Sequence, residues 1–159
     1  IERMQQGLSA YRATGAELWC THFLALLAEA YGRAGQAEEG LKTLAEALAV
    51  VDLTQERVYE AELHRLKGEL TLLLPRREGE EAGGRDETEA CFLQAIAIAR
   101  RQGARSLELR AVMGLSRMWQ QQGKTGDACQ MLAECYGWFT EGFDTADVQA
   151  ARALLAELH

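Results

Sequence analysis

Apolar positions along this chain recur on two scales. Within short stretches they fall at i, i+3, i+4 and i+7, the period of an amphipathic helix. Over longer distances the same small pattern returns: a large apolar residue, a small one three positions on, and another apolar residue next to it. It appears at Met4/Gly7/Leu8, at Leu44/Ala47/Leu48, at Phe92/Ala95/Ile96, and at Cys135 with Leu132 and Tyr136 around it. The lead residues Met4, Leu44, Phe92 and Leu132 are 40, 48 and 40 positions apart. A fixed period of this size marks stacked units, each leaving an apolar face bare until a neighbour covers it.

The period predicts helix pairs. Residues 17–52 form one unit: Leu24, Leu27, Ala28 and Tyr31 share a helical face, Gly35 supplies the turn, and Leu41, Leu44, Ala47, Leu48 and Val51 follow on a second helix. Residues 106–139 repeat the layout, with Val112, Leu115, Ser116 and Trp119, then Gly123, then Ala128, Leu132, Cys135 and Tyr136. The middle unit, 56–102, has Leu63, Leu66, Lys67 and Leu70 on its first helix, and a loop is expected over 75–85, which begins at Pro75 and is rich in glycine and charge. Removing roughly nine inserted residues returns that unit to about 40. Residues 1–13 carry only the second-helix half of the pattern, so the chain is expected to begin inside a repeat. Residues 145–158 read as a capping helix, with Asp144 and Asp147 at its start, Phe143 and Val148 as a hydrophobic staple, and Val148, Ala151, Leu154, Leu155 and Leu158 on one face. The expectation is one all-α domain over 1–159, a solenoid of about seven to eight antiparallel helices.

Composition narrows the function classes. The single proline, Pro75, lets long helices run, and at 159 residues the chain buries roughly 68–70% of its unfolded surface without a metal or disulfide. Net charge is −7, and although Arg100, Arg101 and Arg105 cluster, there is no extended basic face for nucleic acid. Apolar runs such as 23–28 and 70–74 fall far short of a membrane span. Cys20, Cys91, Cys129 and Cys135 form no CxxC, which fits a reducing cytoplasm, and the absence of asparagine with arginine outnumbering lysine suggests a GC-rich bacterial genome.

Catalytic and metal chemistry find little support. Gly123-Lys124-Thr125 lacks the earlier glycine of a phosphate loop, since position 118 is Met118, and a helical pattern precedes it instead of a strand. His22 and Cys20 point roughly 200° apart on a helix, and neither His22 nor His64 has a histidine partner four residues away. Ser9, Ser106 and Ser116 lack a nucleophile elbow, and the adjacent pairs Glu38/Glu39 and Glu80/Glu81 diverge on a helix. No enzyme activity, metal or cofactor is expected.

The helix pairs resemble tetratricopeptide repeats. Leu24–Leu27–Ala28–Tyr31 followed by Leu44 and Ala47 fits that pattern, with Gly40 where alanine is usual. Val112–Leu115–Ser116–Trp119 followed by Ala128, Leu132 and Cys135 fits as well, while the middle copy departs from it at Lys67 and Thr88. Stretches 28–36, 65–70, 99–110 and 136–145 are together similar to the C-terminal repeat region of large bacterial regulators. In that family a class III adenylate/guanylate cyclase domain often precedes an AAA/STAND-type ATPase. The resemblance implies a right-handed solenoid that serves as a sensor or interaction arm.

On that reading the concave groove is lined by His22, Ala25, Glu29 and Arg33, by Ala61, His64, Gly68 and Thr71, and by Arg110, Met113, Arg117 and Gln120. Arg33, Arg110 and Arg117 are expected to accept carboxylates from a protein or peptide, or from the parent chain's ATPase domain, with His22, His64 and Met113 adding adaptable contacts. The alternatives are a small-molecule effector sensor and self-association into a homodimer through an exposed face carrying Met4, Leu8 and Tyr11.

Overall fold

The computed structural model describes residues 1–16, 18–75 and 83–159, excluding the side chains of 83–85. Eight helices follow one another among these residues: α1 (Glu2–Ala13), α2 (Cys20–Arg33), α3 (Ala37–Thr54), α4 (Glu60–Leu73), α5 (Gly83–Gln102), α6 (Arg105–Gln121), α7 (Thr125–Tyr136) and α8 (Ala146–Leu158). No strand occurs among the described residues. The expected loop over 75–85 lies mostly outside them, and its last three positions already belong to α5.

Packing follows chain order. Helices α2 and α3, α4 and α5, and α6 and α7 form antiparallel hairpins, and each second helix also meets the first helix of the next pair. The first helices additionally pack on one another, α2 on α4, α4 on α6, and α6 on α8, while among the described residues no such packing joins α3 to α5 or α5 to α7. The chain is therefore an α-solenoid with the first helices on its inner side, and α8 covers the open side of α6.

Glycines end three of these helices in the same way. Gly35, Gly103 and Gly123 have φ of +72°, +65° and +79°. In each case the following amide donates to a carbonyl five residues back: Gln36 to Tyr31, Ala104 to Ala99, and Lys124 to Trp119, all at 2.9 Å. That left-handed close satisfies carbonyls the helix leaves unpaired.

The interior divides into two main clusters. Leu24, Leu27, Leu44, Val51, Leu63, Leu66 and Leu70 belong to an N-terminal one, and Phe92, Ile96, Leu109, Val112, Leu115, Leu132 and Leu154 to a C-terminal one. Phe92, fully buried, is wedged between two glycines: a Cβ on Gly68 would lie 3.0 Å from its ring and one on Gly114 only 2.5 Å. Three helices approach closely because two of them carry no side chain there.

Two local expectations are corrected. Helix α8 is preceded by Thr145, whose hydroxyl donates to the Gly142 carbonyl at 2.8 Å, and no side chain caps the helix. Phe143 is half exposed against the Tyr136 ring instead of stapling Val148. In α1, Leu8 is buried, and Tyr11 packs edge-on to Phe23 at 5.2 Å while its hydroxyl donates to the Leu18 carbonyl, so the expected dimer face is already covered at two of its three positions. Met4 remains exposed.

Gly114→Ala should destabilise the fold by about 1–3 kcal/mol through overpacking. Adding Phe92→Leu should recover part of that loss despite removing core volume, a non-additivity that urea denaturation of the two single variants and the double variant measures.

Candidate functional site

Equivalent residues of the first helices follow from the period itself. Adding 40 to a position in α2 gives its counterpart in α4, and adding 88 gives that in α6. Ala28, Gly68 and Ser116 are then the small residues of the three helices. Their contacts agree: the Ala28 carbonyl sits beside Gly40, Gly68 faces Phe92, and the Ser116 hydroxyl donates to the Ala128 carbonyl at 3.3 Å. Each touches a second helix.

The same offsets generate rows across the inner side: Trp19–Tyr59–Leu107, His22–Glu62–Arg110, Leu26–Leu66–Gly114, and Glu29–Glu69–Arg117. A small cleft of about 70 Å³ opens where these rows cross α2, α4 and α6, lined by His22, Leu26, Tyr59, Glu62, Leu66 and Arg110, with Ala25, Glu29 and Leu107 completing it.

The cleft's polar side is held by charge. Arg65, only 5% exposed, donates from Nε and Nη2 to the two carboxylate oxygens of Glu62 at 2.8 Å each, and from Nη1 to Glu69. Glu62, 7% exposed, also receives Nη2 of Arg110 at 2.9 Å, which ties α4 to α6. Burial opposes the charge on Arg65, but hydrogen bonding and attraction from Glu62 and then Glu69 prevail and raise its pKa. Arg65 therefore stays charged, and the pair it makes with Glu62 fixes the Arg110 guanidinium in place.

The aromatic side is a stack. The His22 ring lies 4.4 Å from that of Tyr59 at a tilt of 31°, and Trp19 meets both rings edge-on at 6.3 and 6.0 Å. Trp19 is in the left-handed region, φ 68°, unusual for a large side chain. Its amide donates to Glu56 at 3.2 Å, which ties the turn before α2 to the one before α4. Leu18, Trp19, Phe23 and Leu26 are exposed apolar residues of this part of the chain.

Several expected groove residues lie here and others do not. His22, Ala25, Glu29 and Arg110 line the cleft. Arg33 is well exposed and pairs with Glu29 at 2.8 Å, and Arg117 is exposed two turns along α6 from Arg110. Met113 is buried in the C-terminal core, and Gln120 is half-buried one position from the Arg33 counterpart, Gln121. In α4 the expected residues Ala61, His64 and Gly68 are one position, about 100°, away from the counterparts of His22, Ala25 and Glu29, and Thr71 is two positions from the counterpart of Arg33, Leu73. Gly68 points at Phe92, His64 lies on the side of α4 that carries Glu60 and Lys67, and the Thr71 hydroxyl donates to the Lys67 carbonyl. Glu62, Arg65, Leu66 and Glu69 take their place.

Other reactive groups are occupied elsewhere. Glu108, 2% exposed, accepts from Arg100 at 2.7 Å and Arg105 at 2.8 Å, so these two members of the basic cluster share one buried carboxylate. Arg105 also lies 4.3 Å over the Trp138 ring. Burial and then Glu108 push the Cys135 thiol up to about 11, and burial raises that of Cys91, so both stay protonated at neutral pH. Among the described residues, no three His, Cys, Asp or Glu side chains gather as a metal site, and no helix is long and apolar enough to cross a membrane.

No family model matches the chain. The uncharacterized protein R02095 of Rhizobium meliloti (strain 1021) is 34% identical to it over 109 residues. The match covers 69% of this chain and 10% of that protein, so the chain spans about a tenth of the length of the curated relative it matches.

Glu62→Leu should destabilise the fold by about 3–5 kcal/mol by leaving Arg65 buried without its main partner, whereas Glu62→Leu with Arg65→Met should recover most of the loss in the same urea titration. His64 gives a pH signature. Burial lowers its pKa below the ordinary 6.5, Glu60 opposes that shift, and Lys67 adds to it. The unfolded chain then takes up the proton first, so the His64 contribution is present above pH 6.5 and is lost as pH falls through the lower folded value. Urea midpoints at pH 7.5 and 5.5 should separate more for the native chain than for His64→Gln.

Proposed function

We propose that this chain is a non-catalytic binding module of the tetratricopeptide type, whose inner face takes up a protein or peptide segment. The observation that carries the reading is the cleft between α2, α4 and α6, where three successive repeats each contribute side chains to one surface. A helix pair alone has no such site, so binding is a property of the stack. The buried Glu62–Arg65 pair and the aromatic stack of His22, Tyr59 and Trp19 hold the cleft's walls before any partner arrives, which lowers the ordering that binding requires.

The wider setting we propose is a bacterial cytoplasmic signalling protein, with a cyclase or a STAND-type ATPase elsewhere in the parent polypeptide and that ATPase domain among the partners. Support comes from the resemblance of stretches such as 99–110 and from a relative in which the similar segment is a small part of a much longer chain.

Selection of displayed random peptides on the purified chain tests the reading. Enriched peptides should lose about tenfold or more in affinity on Leu26→Asp, a substitution at an exposed site, and should be unaffected by Gln94→Ala on the exposed side of α5. Binders insensitive to Leu26→Asp, or no binders at all, would refute it.

A further inference from the structure

Among the described residues α1 packs on α2 but not on α3, and on the outer side of the stack a cavity of about 310 Å³ lies between the three helices. Small-molecule pockets begin at about this size. Its floor is apolar, made by the buried Leu8, Leu24 and Leu27. A polar tie crosses it at each end: Nη1 of Arg12 meets a Glu46 carboxylate oxygen at 2.7 Å, and Nε2 of Gln5 donates to the Tyr31 hydroxyl at 2.7 Å. Gln5 and Arg12, seven residues apart on α1, set these ties about 10.5 Å from one another. About half a turn of α2 separates Leu24, Leu27 and Tyr31 from His22, Leu26 and Glu29, so the cavity and the inner cleft are distinct.

Repeat packing does not call for either tie. The counterparts of Arg12 and Glu46 are Asp52 and Gln94 one repeat on, and Arg100 and Glu134 two repeats on. Arg100 is engaged by Glu108 instead. The counterparts of Gln5 and Tyr31 are Ala45 and Thr71, then Leu93 and Trp119, and neither pair is able to form the same bond. An ion pair and a hydrogen-bonded tyrosine at opposite ends of an apolar floor are thus particular to this one trough.

We infer that this trough binds a free α-amino acid with an apolar side chain. The ion pair selects the head group. A lone carboxylate or a lone ammonium would take one member of the pair and leave the other without a counter-charge, whereas a zwitterion gives its carboxylate to Arg12 and its ammonium to Glu46. Both members are exposed, and an exposed ion pair contributes little, so parting them costs little. The floor selects the side chain: Leu8, Leu24 and Leu27 reward an aliphatic or aromatic group and offer no partner to a charged one. The uncharged tie of Gln5 and Tyr31 closes the far end and limits length.

Amide NMR titration of the isotope-labelled full chain tests this, with L-leucine beside isocaproate, which lacks the ammonium, isoamylamine, which lacks the carboxylate, and L-lysine. Leucine should shift amides of α1 and of the facing sides of α2 and α3, and should bind at least about fivefold tighter than the other three. Arg12→Gln and Glu46→Gln should each weaken leucine about tenfold, while Leu26→Asp and Gln94→Ala should leave it unchanged. In Arg12→Gln, isoamylamine should gain on leucine because Glu46 is then free, a reversal that a merely structural role of Arg12 would not produce. Urea midpoints of the variants report the fold alongside. Equal binding of either analogue to the native chain, indifference to Arg12→Gln or Glu46→Gln, shifts centred on His22 and Tyr59, or no shift at all would overturn the inference. Display-selected peptides insensitive to Leu26→Asp would count against the binding-module reading alone.

Discussion

The approach of α4 to α6 depends on Phe92, a ring from α5 seated in two notches that exist because Gly68 and Gly114 have no side chains. A methyl group at either glycine would push the ring or the helices apart, and interiors this dense transmit such a shift. The distance thus set is what allows Glu62 of α4 to reach Arg110 of α6 at 2.9 Å. Cleft geometry on the inner face is therefore decided by an apolar contact in the core behind it.

Charge enters the fold where apolar packing stops. The positions of Glu62 and Arg65 hold no ion pair in the neighbouring repeats: their counterparts are His22 and Ala25 in α2, and Arg110 and Met113 in α6. Burying two ions is expensive, and a hydrophobic pair of similar volume would serve stability as well or better. What the ions supply is orientation, since a bidentate guanidinium–carboxylate pair tolerates little rotation. The aromatic wall is built by other means, with Trp19 held in a left-handed turn and set edge-on to Tyr59 of the next repeat.

Helix content and stacking order were legible because apolar period and repeat length agree at every level, and the glycines at 35 and 123 mark equivalent helix ends. The outer repeats read clearly: in α2 and α6 the small residues Ala28 and Ser116 follow Leu27 and Leu115, which fixes the register. In α4 the leucines at 63, 66 and 70 form an equally good helical stripe, and taking them as the core stripe puts Lys67 in the small position and His64 in the groove. The structure instead turns Leu63 and Leu70 toward the preceding repeat and gives the small place to Gly68. Counting 40 residues from Ala28 leads directly to Gly68, so the signal was present in the spacing. Nothing in the sequence alone reveals that Arg65 is buried, because only the neighbouring helix brings Arg110 to the other side of Glu62.

Two separate apolar cores meet at α4, whose Leu63, Leu66 and Leu70 join the N-terminal one while Leu72 packs on the C-terminal one and Gly68 receives the ring of Phe92. The cleft spans that seam, drawing His22 and Leu26 from one half and Leu107 and Arg110 from the other. Any change in how Phe92 seats against Gly68 would therefore be felt on the far side of the seam, as a change in the gap between Arg110 and the aromatic wall.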